Sequence, residues 1–184
     1  MSRLDPLDMD ALSDDQRRAA DAILSGRIGA IRGPSEAWLR SPGLADPARQ
    51  LVEYCRYDTA LPRDVVELAI LLTGKHWRSQ FEFWGHARVA KQVGIPEAAI
   101  EAIRVGDPPL LEEPNLALTY AVVTEYFATN RLSAATYARA LESFGERGLV
   151  DLIGVVGLYG LVSMTLNVFE VTVPDGQQAP FVED

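Results

Sequence analysis

Apolar side chains recur every three or four residues along most of the chain, with polar residues between them. This spacing is typical of amphipathic helices, whereas the two-residue alternation of strands is scarce. The pattern therefore predicts an all-α fold. The predicted helices cover residues 12–26, 46–60, 61–77, 79–93, 96–106, 115–129, 133–146 and 149–169, with one short helix between residues 29 and 47.

Capping residues and apolar faces support these helices. Ser13 is a suitable N-cap for the first helix, and Gly26 is a suitable stop. In helix 46–60, Leu51, Tyr54 and Cys55 are predicted to share one apolar face. We therefore expect these helices to pack around a single core.

The last predicted helix carries no charge between residues 152 and 169, which reaches the lower limit for a membrane-spanning helix. Its glycines and polar residues, and the acidic residues that flank it, favour a buried core helix instead. Gly154, Gly157 and Gly160 form a strip of small residues that packs either within the chain or at a subunit interface. We interpret the Pro- and Gly-containing tail that follows as an arm reaching a neighbouring subunit.

Composition narrows the function classes. The chain has 26 acidic and 17 basic side chains, which argues against non-specific nucleic-acid binding because such binding needs phosphate neutralisation. Cys55 is the single cysteine, so an intramolecular disulfide, a dithiol redox pair and a cysteine-rich metal site are excluded. The polar, acidic N-terminal sequence does not resemble a secretory signal, and we expect a cytoplasmic protein.

Glu67 is the first residue that suggests chemistry. It lies in the segment "VVELAILL", where apolar residues surround it on nearly every helical face, so we expect it to be buried or to line a cavity. A buried carboxylate costs free energy unless it is paired or protonated, which makes Glu67 a candidate general acid. The alternative is a structural ion pair with Arg63, one turn earlier.

The segment "SQFEFWGH" places Ser79, Glu82 and His86 on one helical stripe. Ser79 and Glu82 fit a capping box, which would only start the helix. Glu82 also has the spacing to orient or protonate His86, and histidine titrates near neutral pH. A metal site formed by Glu82, His86 and Glu67 is a third, weaker option because the chain has only two histidines. We predict no metal.

Cations and aromatic residues surround this segment. Arg78 and Arg88 are candidate clamps for a substrate carboxylate, although cations near a helix end also suit the helix dipole. Trp77 and Trp84 would provide apolar walls to a pocket, although aromatic residues at this density are more often part of the core.

At this point the segment "ELAILLTGKHWRSQFEFWGHARVAKQVGIPEAAIEAIRVG" resembles the core repeat of the carboxymuconolactone decarboxylase family, which includes the alkyl hydroperoxidase D proteins. The flanking pieces "RGPSEAWLRSPGLA" and "SMTLNVFEVTVPDG" resemble longer decarboxylase-like members. The resemblance divides the chain into an N-terminal helical extension at 1–27, a decarboxylase-like domain at 28–176 and a tail at 177–184. One departure is Ser35, where many members have Phe after Gly-Pro.

The resemblance implies an all-α domain of the alkyl hydroperoxidase D type that assembles into trimers or hexamers, with sites near subunit contacts. The hydroperoxidase branch uses a glutamate, a Cys-x-x-Cys pair and a histidine at fixed offsets. Glu67 and His86 match the glutamate and histidine, whereas Ser79 and Glu82 stand at the cysteine positions. Serine and glutamate cannot exchange electrons through a disulfide, so peroxidase activity is not expected.

The decarboxylase branch needs no metal or organic cofactor. The resemblance therefore implies a lyase or isomerase that transfers protons on a small carboxylated lactone such as 4-carboxymuconolactone. Glu67 and His86 would transfer the proton, Glu82 would orient His86, and Arg78 or Arg88 would hold the remaining carboxylate. Ser79, Trp77 and Trp84 would complete the substrate site. The other readings are a hydroperoxidase-like redox enzyme and a non-catalytic oligomeric protein that binds a small molecule.

Overall fold

The computed structural model describes residues 2–182, and within that range the regular structure is entirely helical. Residue 1 of the predicted extension and residues 183–184 of the predicted tail lie outside the described range. The prediction of an all-α fold is confirmed. The helices are α1 (Asp14–Ser25), α2 (Pro34–Trp38), α3 (Pro42–Tyr57), α4 (Arg63–His76), α5 (Gln80–Gln92), α6 (Glu97–Val105), α7 (Pro114–Thr129) and α8 (Ala134–Val168).

Helix α4 is the centre of the fold. Every residue from 65 to 74 is buried, as expected for a helix that is apolar on all faces. It packs most extensively against α5, α7 and α8, and it also contacts α3 and α6. Glu67 lies within this buried run, so the fold places a carboxylate in its core.

Helix α1 begins with the capping box that sequence analysis expected elsewhere. The Gln16 backbone N–H donates to the Ser13 hydroxyl, and the Gln16 side chain accepts from the Ser13 backbone N–H. Ser13 is thus the predicted N-cap, and the helix ends at Ser25 beside the predicted stop. Through Ala19, Ala20 and Ile23, α1 belongs to the core and packs on α3.

Helix α3 differs from its prediction in two respects. It begins at Pro42 rather than at residue 46, and it therefore contains Pro47. The helix tolerates Pro47 because this residue lies near its start, where the missing N–H removes only one backbone hydrogen bond. Its buried face contains Ala45, Ala48 and Cys55, whereas Leu51 and Tyr54 are exposed. The predicted apolar face was therefore wrong for Leu51 and Tyr54.

Tyr54 joins α3 to α8 through a hydrogen bond to Asp151. Its hydroxyl donates to Asp151 Oδ1 at 2.7 Å, and the Ala60 backbone N–H donates to Asp151 Oδ2 at 2.8 Å. Asp151 is buried, so these two bonds satisfy a carboxylate that would otherwise be costly to bury.

The predicted helices 133–146 and 149–169 form α8, a run that is broken at Gly145. Gly145 has φ 68° and ψ 175°, a backbone conformation open essentially to glycine alone. The predicted division was therefore confirmed, with its position shifted to Gly145. Helix α8 is long and apolar enough to cross a membrane, which is weak evidence because 56% of its apolar window is buried and core helices share this composition.

The glycines of the predicted strip in α8 lie in different surroundings. Gly160 is buried, and a Cβ there would lie 3.5 Å from Trp77 Nε1, so it permits close packing within the chain. Gly154 and Gly157 face open space. They share an apolar face, the α8 face, whose larger exposed members are Val150, Ile153, Met164 and Val168; Leu161 on the same face is half-buried against the core.

The C-terminal tail folds back onto its own chain. The Phe181 backbone N–H donates to Gln80 Oε1 at 2.9 Å, and the ring of Phe181 packs against Phe83 with centroids 5.1 Å apart. Arg104 donates to the Pro180 carbonyl at 2.7 Å. Our interpretation of this segment as an arm to a neighbouring subunit was therefore wrong for residues 180–182, because Phe181 fills part of its own core.

The break at Gly145 gives a test of the fold. Gly145→Ala should lower the free energy of unfolding by roughly 1–3 kcal/mol, because an L side chain is strained at this backbone conformation. Urea denaturation measures the change. Gly43→Ala is the matched control: it lies in a helix with open space around it and should leave stability unchanged or slightly higher. Equal effects of the two substitutions would contradict the assigned break.

Candidate active site

One cavity of about 660 Å³ lies between α2, α3, α5, α8 and the segment that follows α8. Its apolar walls include Trp38, Phe81 and Trp84, and its polar inner wall includes Glu82, His86 and Tyr159. The Trp38 indole N–H donates to Thr165 Oγ1 at 3.1 Å, which fixes this wall to α8. The cavity is large enough for a small organic molecule.

His86 lies between two carboxylates at the inner wall of this cavity. Its Nδ1 is 2.6 Å from Glu67 Oε2, and its Nε2 is 2.9 Å from Glu82 Oε1. The first contact has hydrogen-bond geometry, whereas the Glu82 oxygen lies out of line with the ring N–H. The sequence-predicted trio of Glu67, Glu82 and His86 is thus brought together.

The two carboxylates determine the charge of His86. Burial alone would lower the pKa of His86, but the Glu82 charge and the hydrogen bond to Glu67 outweigh it and raise the pKa to about 9. His86 is therefore an imidazolium at neutral pH, with an N–H at both ring nitrogens.

Glu67 and Glu82 occupy different positions relative to the cavity. Glu67 has 0% exposure and lies behind His86, whereas Glu82 lines the cavity. The Arg63 guanidinium lies 3.2 Å from Glu67 Oε1 without hydrogen-bond geometry, so the ion pair considered as the alternative is also present. Glu67 is thus held between a buried imidazolium and a partly exposed guanidinium.

Tyr159 and Arg56 complete the inner wall, and sequence analysis missed both. The Tyr159 ring packs edge-on against His86, with centroids 5.2 Å apart. Burial, followed by the nearby Glu82 charge, holds the pKa of Tyr159 well above its usual value, so its hydroxyl stays protonated. Tyr159 had a sequence signal, a phenol within a charge-free helix, whereas Arg56 had none.

Ser79 does not make the predicted capping box. It occupies the N-cap position of α5, but its buried hydroxyl has no hydrogen-bond partner among residues 2–182. Glu82, which would have completed the box, is turned to His86 instead. Ser79 also does not line the cavity, so the capping prediction was wrong and its place in the substrate site is not supported by position.

Arg78 and Trp77 lie in the connection between α4 and α5, away from the cavity. The Arg78 guanidinium donates to the Val182 carbonyl, and the Trp77 carbonyl accepts from Asn167 Nδ2 at 2.6 Å. Both residues therefore hold the tail and α8 in place. The structure does not bring them to the predicted substrate site, because His86 lies about two helical turns further along α5.

Arg88 and Trp84, the other predicted binding residues, do line the cavity. The Arg88 guanidinium lies 5.5 Å from the centroid of the Trp84 ring, a cation–π contact that orients both side chains. Ser35 also lines the cavity; its hydroxyl accepts from the Arg32 backbone N–H and donates to the Arg32 carbonyl, both at 2.8 Å. The departure from Gly-Pro-Phe thus affects the cavity wall directly.

The three central residues do not converge as metal ligands. Glu67 and Glu82 contact opposite nitrogens of the His86 ring, so no single point lies close to all three donors. Across residues 2–182, no group of three or more His, Cys, Asp or Glu side chains is placed to hold a metal ion. The arrangement is suited to moving or holding a proton.

No family model matches the chain, and no curated protein matches its sequence. The family resemblance therefore stays a prediction that rests on the motifs quoted above.

The raised pKa of His86 predicts a pH dependence of stability. The folded-state pKa of about 9 exceeds the usual histidine value of 6.5, so this stabilisation is complete below pH 6.5 and is lost as pH rises through 9. Between pH 6.5 and 8.5 the free energy of unfolding should fall by at most about 1.4 kcal/mol per pH unit. Urea denaturation at several pH values measures this slope.

Two histidine variants test whether His86 causes the pH dependence of the free energy of unfolding. His86→Gln should remove it, whereas His76→Gln should retain it, because burial lowers the pKa of His76 and its effect falls below pH 6.5. Cys55 does not interfere, since burial raises its pKa from 9.0 to about 11 and its effect begins above this window. The same slope in His86→Gln would contradict the assignment.

Proposed function

We propose that this protein is a cofactor-independent lyase or isomerase that transfers protons on a small carboxylated lactone such as 4-carboxymuconolactone. The observation that carries the proposal is the imidazolium of His86 between Glu67 and Glu82 on the inner wall of a cavity. Two carboxylates that differ in exposure, joined through one histidine, provide a proton donor with a fixed orientation.

Decarboxylation of such a lactone breaks the bond between the ring system and the departing carboxylate. The electron pair of that bond is delocalised as a dienolate onto the lactone carbonyl, and a carbon atom must then be protonated. Glu82 faces the cavity and its Oε1 lies 2.9 Å from Nε2 of His86, so we assign delivery of the proton to this pair. Glu67 does not line the cavity and acts as a positioning residue on Nδ1 of His86.

The redox alternative is not favoured by the thiol chemistry of the chain. Cys55 is the single cysteine in the sequence, and it is buried. Burial raises the pKa of its thiol to about 11, so it is not a thiolate at neutral pH. The non-catalytic alternative does not explain why an imidazolium is held between two carboxylates beside a cavity.

Carbon dioxide release from freshly generated 4-carboxymuconolactone tests the activity. Glu82→Gln should lower kcat by about 10²–10⁴-fold, because it removes the cavity-facing partner of the proton. Glu67→Gln should lower kcat as well and should also lower the pKa of His86. Glu142→Gln, an exposed carboxylate on α8, is the matched control and should leave turnover unchanged.

Two outcomes would contradict this account. Full turnover by Glu82→Gln would remove the assigned proton donor. Absence of turnover by the folded wild type would exclude this substrate, and the same variants would then be compared on other small lactones and enolisable acids.

We also propose that the protein forms a homo-oligomer, with the α8 face at a contact between two copies. Positions 150, 154, 157, 161, 164 and 168 alternate in steps of four and three, which is the spacing of a helix–helix seam, and all except the half-buried Leu161 are exposed. In an antiparallel pair, Leu161 of one copy would lie over Gly157 of the other, and Met164 over Gly154. Large side chains would thus face open glycines, and Val150 would meet Val168.

Analytical ultracentrifugation over a range of concentrations tests this contact. Met164→Glu should shift the protein to monomer, because it places a charge in the apolar seam. Met9→Glu, at an exposed methionine outside α8, should leave the association unchanged. A monomeric wild type, or a variant that associates like the wild type, would contradict the proposed interface.

A further inference from the structure

Arg56 stands out among the arginines that line the cavity. Its Nε atom is buried and has no hydrogen-bond partner among residues 2–182. Across the same part of the chain, no carboxylate lies within ion-pair distance of its guanidinium. A buried N–H donor without an acceptor costs free energy, and a ligand that accepts from it would remove that cost.

Arg49, two helical turns earlier on α3, is a direct comparison. It also lines the cavity, but it is paired with Asp46 Oδ1 at 2.9 Å and with Glu53 Oε2 at 3.0 Å. Glu53 is the carboxylate nearest to Arg56 along α3, and it is already used by Arg49 and by the Arg27 backbone N–H. Arg56 is therefore left without a local acceptor.

Stacking on an aromatic ring does not replace that acceptor. Arg56 lies 5.6 Å from the centroid of Tyr57, but Arg27 and Arg63 lie closer to the same ring, at 4.1 and 5.2 Å. Three cations around one phenol repel each other, and a ring face accepts no hydrogen bond from the buried Nε at that distance.

The charges at this end of the cavity also favour an anion. The carboxylates are Glu67 and Glu82. The cations are the protonated His86, Arg63 and Arg56, so three positive charges against two negative ones leave one net positive charge. One carboxylate supplied by a ligand would neutralise the group.

We propose that Arg56 anchors a carboxylate of the ligand at the inner wall of the cavity, which Tyr159 also lines. The buried Nε and a terminal nitrogen of the same guanidinium form the fork that suits a carboxylate. This inference rests on the proposed function, because it identifies the group that holds the substrate while Glu82 and His86 act on it. It assigns to Arg56 the clamp that sequence analysis expected at Arg78 or Arg88.

Calorimetric binding of an unreactive probe tests this assignment without turnover. The probe is paraconate, a stable lactone with one carboxylate, and its methyl ester is the neutral counterpart. The wild type should bind paraconate more tightly than the ester. Arg56→Gln should weaken paraconate binding by about tenfold or more and leave ester binding unchanged, with Arg56→Lys in between. Arg27→Gln, which stacks on the same ring outside the cavity, is the matched control.

The thermal stability of the free protein gives a second readout. Arg56→Gln should change the Tm less than Arg49→Gln, because Arg56 has no ion pair to lose among residues 2–182, whereas Arg49→Gln removes the cation that pairs with Asp46 and Glu53. Equal paraconate binding by Arg56→Gln and the wild type would overturn the inference, as would absence of paraconate binding to the wild type. Wild-type binding without carbon dioxide release would instead count against the proposed function alone.

Discussion

The site depends on the burial of one carboxylate. Glu67 lies in the central helix α4 with no exposure to solvent, and a buried carboxylate must find a cation. His86 supplies it from α5 at 2.6 Å, so the pair fixes how α5 packs on α4 and which nitrogen of the ring faces the core. The other nitrogen is thereby directed to Glu82 and the cavity. A structural requirement of the core thus places an imidazolium at the inner wall of the cavity.

The same requirement shapes the electrostatics of the cavity. With His86 charged, the inner wall combines Glu82 with the neutral phenol of Tyr159 and with the Arg56 guanidinium, which has no ion-pair partner among residues 2–182. Under the proposed function, this wall attracts an anionic ligand. The net negative charge of the whole chain does not conflict with an anionic ligand, because the positive charge that would attract the ligand is confined to the cavity.

Local patterns predicted the helices, the burial of Glu67 and the Glu82–His86 pair, since apolar spacing marks helix faces and the i, i+4 offset brings Glu82 to His86, whereas the pairing of Glu67 with His86 was expected from the family resemblance. Non-local contacts could not be predicted. Ser79 was assigned to a capping box because its spacing to Glu82 fits, but the Glu82 carboxylate lies against His86 instead of the helix start. Arg78 and Trp77 are close to the site in sequence and far from it in space, whereas Arg56 is distant in sequence and adjacent in space. The position of the tail is likewise set by contacts of Phe181 with Phe83 and Gln80, and no pattern within the tail sequence indicates these contacts.

The most direct test of the account is the titration of the histidine rings by NMR. The chain has only two histidines, so a His76→Gln sample assigns both signals. The account predicts that His86 stays protonated through neutral pH and titrates at about 9, and that His76, which is stacked on Phe127, titrates below 6.5. A titration of His86 at or below 6.5 would show that the two carboxylates do not hold an imidazolium, and the central claim would then be wrong.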